Sequence, residues 1–263
     1  KQKPIAKTLI EAIQKLREDG IDVLNKFSEK KLNKLLIEGS KSYYNEQPFM
    51  TDNEYDIIKE YIEKKYPKNT VVENIGAPVE KNKVKLPYFM GSMDKIKPDT
   101  NALNKWKEKF KGPYIISAKL DGISALFISN DNEKFLYTRG NGKVGQDISY
   151  LIPYLNISHI NNVVARGELI IAKKVFEEKY GDKAANARNF VAGLVNKKTI
   201  DYEKISDLNL IFYEVIEPSL TPSKQMELLN KYNNGNNTVL YQNKQDITNQ
   251  QLSNILIEWR DTY

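Results

Sequence analysis

The chain has 263 residues, of which 40% are hydrophobic and 28% are charged, and its formal net charge is +6 at pH 7. This is the composition of a folded globular protein, long enough for one large domain or for two smaller ones. The absence of cysteine excludes disulfides, thiolate zinc sites and cysteine nucleophiles, and a single histidine, His159, excludes a histidine-rich metal site.

The charge and the hydropathy pattern bear on partners and location. The modest positive charge permits a polyanionic partner such as nucleic acid, but lysine-rich surfaces also serve solubility alone. No apolar run approaches membrane-spanning length, and no signal-peptide pattern opens the chain. We therefore expect a soluble cytoplasmic protein without a membrane partner.

Helical periodicity dominates the start of the sequence. Apolar residues recur at helical spacing over residues 8–44, with Gly20 as a break between two segments. A further helix is predicted to begin after Thr51 and to end near Lys65, where a Tyr-Pro pair stops it. These patterns predict a small helical domain over residues 1–68.

The helix that follows Thr51 begins with an unusual density of polar residues. Thr51 and Glu54 have the spacing of a capping box, which explains those two positions. Three further residues share one helix face at spacing i, i+3, i+4: Asp52, Tyr55 and Asp56. Such a face could hold a positively charged or amide-bearing aromatic ring, or it could be plain helix surface.

A proline-containing linker after residue 68 leads into a region that mixes strands with helices. Strands are predicted over residues 114–120, 123–128, 135–138, 163–171 and 208–215. Helices are predicted over residues 101–110, 173–180, 189–196, 223–232 and 249–259. The fold class is therefore α+β, with a second domain over residues 69–263 built from mostly antiparallel sheets with flanking helices.

The strand predicted over residues 114–120 carries the most distinctive pair of charges. Period-2 alternation assigns Ser117, Lys119 and Asp121 to one face, and Gly122 follows. This pattern is typical of a solvated strand face with a minor ion pair. It also fits a nucleophilic lysine beside a carboxylate, because a lysine, unlike an arginine, can be deprotonated when its surroundings disfavour its charge. The stretch alone leaves both interpretations open.

Two glycine-containing runs indicate close backbone packing. Residues 139–142 read Arg-Gly-Asn-Gly, a run suited to positive φ, although an Asn-Gly pair is common in ordinary tight turns. Gly167 lies at the centre of the strand predicted over residues 163–171. A glycine there often marks the close approach of a ligand or of another backbone.

Taken together, six motifs in this order resemble the N-terminal half of the NAD-dependent DNA ligases. The matching stretches are residues 51–56, 90–94, 119–122, 137–147, 165–168 and 186–193. The Lys-x-Asp-Gly motif alone is weak, since it also occurs in ATP-dependent ligases and capping enzymes. The order of the six, and the helix of residues 51–56 that is typical of the NAD-using branch, carry the resemblance.

The resemblance implies an ATP-grasp-like nucleotidyltransferase fold and a specific first reaction. In that family a lysine amine attacks the α-phosphate of NAD, which gives lysyl-AMP and releases NMN. The AMP is transferred later to the 5′-phosphate of nicked double-stranded DNA. Mg²⁺ is expected to neutralise the phosphate oxygens near Asp121, without a dedicated metal site made by the protein.

The resemblance also assigns roles to individual residues. Lys119 and Asp121 would be catalytic. The NMN half of NAD would be bound by Tyr43, Asp52, Tyr55 and Asp56. The remaining nucleotide-binding residues would be Ser92, Met93, Ser117, Arg139, Glu168 and Arg188, with Arg139 and Glu168 at the ribose and Arg188 at phosphate or DNA.

The sequence departs from the family pattern at several points. Ser117 stands where the family usually has a glutamate that reads adenine, and Asn141 stands where it usually has an aspartate. The chain ends at Tyr263, before the family's next motif, roughly Glu-Ile-Asp-Gly-x-Val-x-Lys. We therefore expect a fragment or one subunit of a divided ligase, which needs a second ligase chain or missing C-terminal domains.

Alternative functions remain open at this point. The asparagine-rich composition is compatible with a divergent viral member, which would act in the cytoplasm of an infected cell. One alternative is a non-catalytic NAD- or DNA-binding subunit that complements a partner ligase chain, as the departures at Ser117 and Asn141 suggest. Another is an ATP- or GTP-using relative such as an RNA ligase or a capping guanylyltransferase. The helix of residues 51–56 speaks against that second alternative.

Overall fold

A computed structural model describes residues 5–44, 49–74, 82–98, 100–196 and 200–263, leaving out the side chains of residues 43, 44, 52, 73, 74, 233 and 234. The chain divides into two compact units, Lys1–Glu80 and Lys81–Tyr263. The first unit continues beyond residue 68 because Asn69 is fixed to it: its Nδ2 donates to Glu29 Oε1 at 2.7 Å and to Asn33 Oδ1 at 2.9 Å.

The first unit is helical, as its periodicity predicts. Its α-helices are α1 (Lys7–Asp19), α2 (Glu29–Tyr44), α3 (Asp52–Lys65) and α4 (Thr70–Asn74), with a 3-10 helix at Ile21–Lys26. Gly20 ends α1 with a φ of +74°. The core is aliphatic, and its largest fully buried side chains are those of Leu9, Ile13, Leu24, Leu32, Leu35, Leu36, Ile58 and Ile62.

The capping box predicted at the start of α3 is confirmed. Thr51 Oγ1 accepts from the backbone N–H of Glu54 at 3.2 Å, and Glu54 Oε2 accepts from the N–H of Thr51 at 2.7 Å. Two N–H groups that the helix itself cannot pair are thereby satisfied. The hydrogen bonds that begin α3 therefore come from residues at its own N-terminus.

The described residues of the second unit form three antiparallel sheets with helices around them, which confirms the predicted α+β class. Its strands are β1 (Lys83–Lys85), β2 (Tyr114–Ser117), β3 (Ile123–Ser129), β4 (Lys134–Thr138), β5 (Val144–Gln146), β6 (Val163–Ile171), β7 (Leu208–Glu217) and β8 (Tyr241–Lys244). Its α-helices are α5 (Ala102–Lys109), α6 (Lys173–Tyr180), α7 (Ala187–Asn196), α8 (Tyr202–Ile205), α9 (Pro222–Asn230) and α10 (Asn249–Trp259). Short 3-10 helices span Ser149–Tyr154 and Tyr232–Gly235.

The central sheet has the strand order β4-β3-β6-β7, and the pairs β1-β5 and β2-β8 form separate two-stranded sheets. The short strands β1, β5 and β8 were not predicted, because three or four residues carry too little alternation to stand out. In the described parts of the chain no helix combines the length and the apolar character needed to cross a membrane.

The strand predicted over residues 114–120 is shorter than expected, and this corrects the placement of Lys119 and Asp121. β2 ends at Ser117 because its partner is β8, whereas β3 pairs with β4 and β6 in the central sheet. The chain crosses between the two sheets over residues 118–122. Lys119 and Asp121 therefore lie in a loop, and the prediction that they share a strand face with Ser117 is wrong.

Gly167 lies against the backbone of a neighbouring strand. This is one of the two explanations that the sequence offered for a glycine at this position. A Cβ added there would lie 2.9 Å from the carbonyl oxygen of Ile211 in β7. The pairing of β6 with β7 shifts its register between Arg166 and Gly167. The glycine therefore permits a local irregularity of the sheet beside the residue that follows it, Glu168.

We expect Gly145→Ala to destabilise the second unit strongly. A Cβ at residue 145 would lie 1.9 Å from the carbonyl oxygen of Thr138, so the backbone itself would have to move. Overpacking of this kind costs about 1 to 3 kcal/mol of unfolding free energy, which denaturant titration would measure.

Gly181→Ala is the matched control for this substitution. Gly181 has helical φ and ψ at the end of α6, and its nearest neighbour to an added Cβ is 3.1 Å away. The control should change the unfolding free energy by less than about 1 kcal/mol. Equal effects of the two substitutions would contradict the assigned role of Gly145.

Candidate active site

The carboxylate of Glu168 is the centre of the candidate site. The register of β6 with β3 sets Glu168 directly opposite Ser124. Its Oε2 accepts from Ser124 Oγ at 2.8 Å, and its Oε1 accepts from the backbone N–H of Gly122 at 3.2 Å. Glu168 is only 8% exposed. The loop that carries Lys119 is thus fastened to β6 through a buried carboxylate.

The loop can lie this close to β6 because residue 122 is a glycine. A Cβ added at Gly122 would lie 2.2 Å from the carbonyl oxygen of Leu169, the residue after Glu168. Any larger side chain would push the loop away from the strand. This backbone approach accounts structurally for the glycine of the Lys-x-Asp-Gly motif.

Burial raises the pKa of Glu168 above its ordinary value. The hydrogen bond from Ser124, the positive charges of Arg188 and Lys119, and the N–H of Gly122 each act in the opposite direction without cancelling the effect of burial. Both cations therefore lie near enough to influence this carboxylate. The structure brings together Lys119, Arg188 and Glu168, which lie far apart in the sequence.

Asp121 and Arg188 form an ion pair at the edge of this cluster. Arg188 Nη1 donates to Asp121 Oδ1 at 3.2 Å, and the Asp121 side chain is 74% exposed. Arg188 lies in the first turn of α7, where Asn186 Oδ1 accepts from the N–H of Asn189 at 2.8 Å. Lys119 is also exposed. The described site is thus open to solvent on the side of Lys119 and Asp121.

Arg139 connects the central sheet to the segment that contains Ser92 and Met93. Its backbone N–H donates to Ser124 O at 2.8 Å, its Nε to Met90 O at 3.0 Å and its Nη2 to Ser92 Oγ at 2.7 Å. The side chain of Met93 is 59% exposed. Arg139 therefore acts here as a structural clamp, and its two side-chain bonds set the position of residues 90–92.

The glycine-rich turn after Arg139 has the backbone that its sequence predicts. Gly140 and Gly142 have φ values of +53° and +90°. Asn141 Oδ1 accepts from the backbone N–H groups of Lys143 at 3.1 Å and Val144 at 2.8 Å. An amide oxygen performs this task as an aspartate oxygen would, so the departure at Asn141 leaves the turn intact.

Ser117 and the buried carboxylate of Glu168 lie in different sheets. Ser117 is the exposed last residue of β2 and pairs with Tyr241 of β8, whereas Glu168 belongs to the central sheet.

Tyr213 of β7 was not identified from the sequence, although it lies beside Glu168. Burial, followed by the charges of Glu168 and Glu214, raises the pKa of Tyr213 to about 12 despite the opposing effects of Arg166 and Ser124. The sequence did contain a signal: Tyr213 carries a hydroxyl group, and it lies within a strand that was predicted from its apolar residues.

Arg166 extends the polar face of β6 beyond Glu168. Its Nη1 donates to Glu214 Oε2 at 2.7 Å, and its Nη2 donates to the carbonyl oxygen of Phe89 at 2.7 Å. Arg166 and Arg139 thus both hold the segment that begins at Phe89, one from β6 and one from the end of β4.

In the first unit, Tyr55 and Asp56 lie in the first two turns of α3 and are partly buried. Tyr55 packs against α2, because Gly39 leaves room for its ring, with Cδ2 3.2 Å from the position of an added Cβ. The side chains of Tyr43 and Asp52 lie outside the described residues. Their backbones belong to α2 and α3.

The sequence of this chain is similar to those of known DNA ligases. Residues 82–262 match the family model described as the NAD-dependent DNA ligase adenylation domain. A DNA ligase of Acanthamoeba polyphaga mimivirus is 45% identical over 203 residues, which cover 73% of this chain and 32% of the viral protein. Protein 205R of Invertebrate iridescent virus 6 is 43% identical over 195 residues, which cover 72% of this chain and 30% of that protein.

The similarity extends beyond viruses. A DNA ligase of Malacoplasma penetrans is 30% identical over 237 residues, which cover 79% of this chain and 33% of that protein. The chain therefore spans about a third of the length of the relatives that it matches.

Proposed function

The chain belongs to the NAD-dependent DNA ligase family, and we propose that it performs the first ligation step, self-adenylation at Lys119. The observation that carries the proposal is the fastening of the Lys119 loop to Glu168 through the N–H of Gly122, with Arg188 at the same cluster. This arrangement supports the proposal because it sets the Lys119 amine beside a carboxylate that can accept hydrogen bonds and an arginine that can contact phosphate.

The proposed reaction is a displacement at the α-phosphorus of NAD. The lone pair of Lys119 Nζ forms a P–N bond, and the bond from phosphorus to the bridging pyrophosphate oxygen breaks. NMN leaves with that electron pair. Lys119 Nζ releases two protons to solvent at the exposed side of the site, one from the ammonium before the attack and one after the P–N bond has formed. Catalysis then consists mainly of positioning and of stabilising negative charge.

The surrounding residues have distinct proposed roles. Glu168 would accept hydrogen bonds from the ribose of the AMP half, and Arg188 would contact phosphate or DNA. Arg139 would keep Ser92 and Met93 at the nucleotide through its bonds to Met90 and Ser92, in addition to its proposed contact with the ribose. Tyr43, Asp52, Tyr55 and Asp56 of the first unit would bind the NMN half, and Ser117 would lie at the base.

Mg²⁺ is the proposed ion of the reaction, and the described residues limit how it could be held. They contain no group of three or more His, Cys, Asp or Glu side chains able to bind a metal ion. Mg²⁺ commonly uses one or two carboxylates together with substrate phosphates. Asp121, exposed beside Lys119, fits the part of a single carboxylate ligand, and the ion would supply charge neutralisation.

The complete ligation of nicked double-stranded DNA is a further part of the proposal. We expect it to need additional domains or a second ligase chain, because the longer relatives carry about two thirds of their length outside the matched region. DNA binding by this chain alone should be weak and should decrease with salt, because it would rest on lysine contacts to phosphates.

Incubation of the purified chain with NAD and Mg²⁺ should add one AMP to its intact mass. A parallel incubation with ATP in place of NAD should add nothing. An adduct with ATP alone would identify an ATP-using relative. Binding of NAD without an adduct would instead support the non-catalytic binding subunit, and absence of NAD binding at millimolar concentration would contradict the proposal.

A further inference from the structure

The six ligase motifs leave helix α1 without a role, yet it is built into the first unit. Its buried residues Leu9, Ala12, Ile13 and Leu16 belong to the same core as α2 and α3. Arg17 follows this buried stripe and extends from it toward α3. Its Nε donates to Glu54 Oε1 at 2.6 Å and its Nη2 donates to Glu54 Oε2 at 3.1 Å.

Glu54 is the residue that closes the capping box of α3. Its carboxylate therefore has three donors: the two from Arg17 and the backbone N–H of Thr51. The side chain of Glu54 is 13% exposed, whereas that of Arg17 is 53% exposed. The hydrogen bond from Arg17 lowers the pKa of Glu54, which keeps the carboxylate in the charged form that these donors need. A two-point bond of this kind fixes direction as well as distance.

The N-terminal segment also contacts α3 near its other end. Tyr61 Oη donates to Asn25 Oδ1 at 2.8 Å, and Asn25 belongs to the 3-10 helix that follows α1. Lys65 Nζ donates to the same tyrosine hydroxyl at 2.7 Å. The segment before α2 thus contacts α3 at its first turn, through Arg17, and at its last turns, through Asn25.

We propose that Arg17 is a positioning residue for the NMN-binding face of α3. By holding Glu54, it sets the rotation and the depth of the helix turn that presents Tyr55 and Asp56. The inference rests on the proposed function, because Tyr55 and Asp56 matter only if they bind the NMN half of NAD. Small displacements of binding groups can cost up to about a hundredfold in rate.

The test measures how the full chain uses NAD after Arg17→Gln. We follow single-turnover self-adenylation and use KM for the NAD concentration that gives half of its maximal rate. We expect this KM to rise about tenfold, while the rate at saturating NAD stays within about a factor of two, because the turn is displaced but the nucleophile is untouched. The dissociation constant for NAD, measured by calorimetry, should rise in parallel, and that for AMP should not change. Arg17→Lys should restore only part of the loss, because an ammonium lacks the planar fork.

Two variants on the same helix separate positioning from general stability. Lys15→Gln removes one positive charge from an exposed position of α1 and should leave the KM unchanged. Ile13→Val weakens the core at a residue that is 1% exposed and should lower the unfolding temperature without changing the KM. A KM that rises as much in Ile13→Val as in Arg17→Gln would overturn the inference.

Asp56→Asn distinguishes failure of the inference from failure of the proposed function. If Asp56→Asn raises the KM for NAD and Arg17→Gln does not, the NMN site stands and the role of Arg17 is refuted. If Asp56→Asn leaves both the KM and the dissociation constant for NAD unchanged, the proposed NMN-binding role of α3 itself fails, and the inference fails with it.

Discussion

Lys119→Arg is expected to reduce formation of the AMP adduct by at least about a thousandfold, as loss of a nucleophile commonly does. The guanidinium of arginine stays protonated and cannot attack phosphorus, although the variant keeps a positive charge beside Glu168. Lys119 is exposed in the loop between β2 and β3, so the unfolding temperature should not change. Intact mass after incubation with NAD and Mg²⁺ measures the effect.

Lys174→Arg serves as the control for this substitution. Lys174 lies on α6, and its side chain is 85% exposed. This variant should accept AMP as the unchanged chain does, and both variants should retain NAD binding by calorimetry. An AMP adduct on Lys119→Arg would show that another residue is the nucleophile.

Glu168→Gln should lower the rate of adduct formation roughly 10- to 100-fold, the usual range for a lost hydrogen bond to a charged group. The amide has one acceptor oxygen, so it cannot serve Gly122 N–H, Ser124 Oγ and a ribose hydroxyl as the carboxylate could. Rates at saturating NAD would measure the loss, and Glu177→Gln, on the exposed side of α6, is the control. An unchanged rate would refute the proposed role of Glu168.

The same substitution has a consequence for the pH dependence of stability. Burial raises the pKa of Glu168, so above the ordinary glutamate pKa the folded chain retains a proton that the unfolded chain has released. The contribution of Glu168 to stability therefore falls as pH rises through this window. Glutamine does not titrate, so the unfolding free energy of the variant minus that of the unchanged chain should increase with pH there.

Denaturant titrations at several pH values from the ordinary glutamate pKa upward would test this difference. A difference that stays constant or decreases with pH would mean that Glu168 is not held in a buried environment in solution.

Local features of the fold were predictable from the sequence, and Thr51 and Glu54 show why. A capping box joins residues only three positions apart, so its two hydrogen bonds can be predicted from a short stretch of sequence. The positive φ values of Gly140 and Gly142 are similarly local. These elements have the structure that the sequence predicts because neighbouring residues determine it.

The environment of Lys119 could not be predicted in the same way. Alternation continues through Asp121, but the strand ends where its pairing with β8 ends, and β8 is more distant in sequence than any local pattern reaches. Likewise, Tyr213 lies beside Glu168 because the pairing of β6 with β7 sets Ile211 opposite Glu168, and Tyr213 follows Ile211 by two residues on the same face of β7. The surroundings of Lys119 and Glu168 therefore depend on strand pairing between segments that are remote in sequence, which a local pattern cannot predict.

The crossing between sheets has a consequence for what happens after adenylation. The segment 118–122 is short, and both of its ends are anchored, one in the β2-β8 pair and the other in the central sheet. A group attached to Lys119 would therefore explore only a small volume, since a short tether with fixed ends has little conformational freedom. Within that volume it would be presented at high effective concentration to whatever acceptor docks there. The segment 118–122 would thus hold the activated AMP group in place after NAD has reacted and until the acceptor binds.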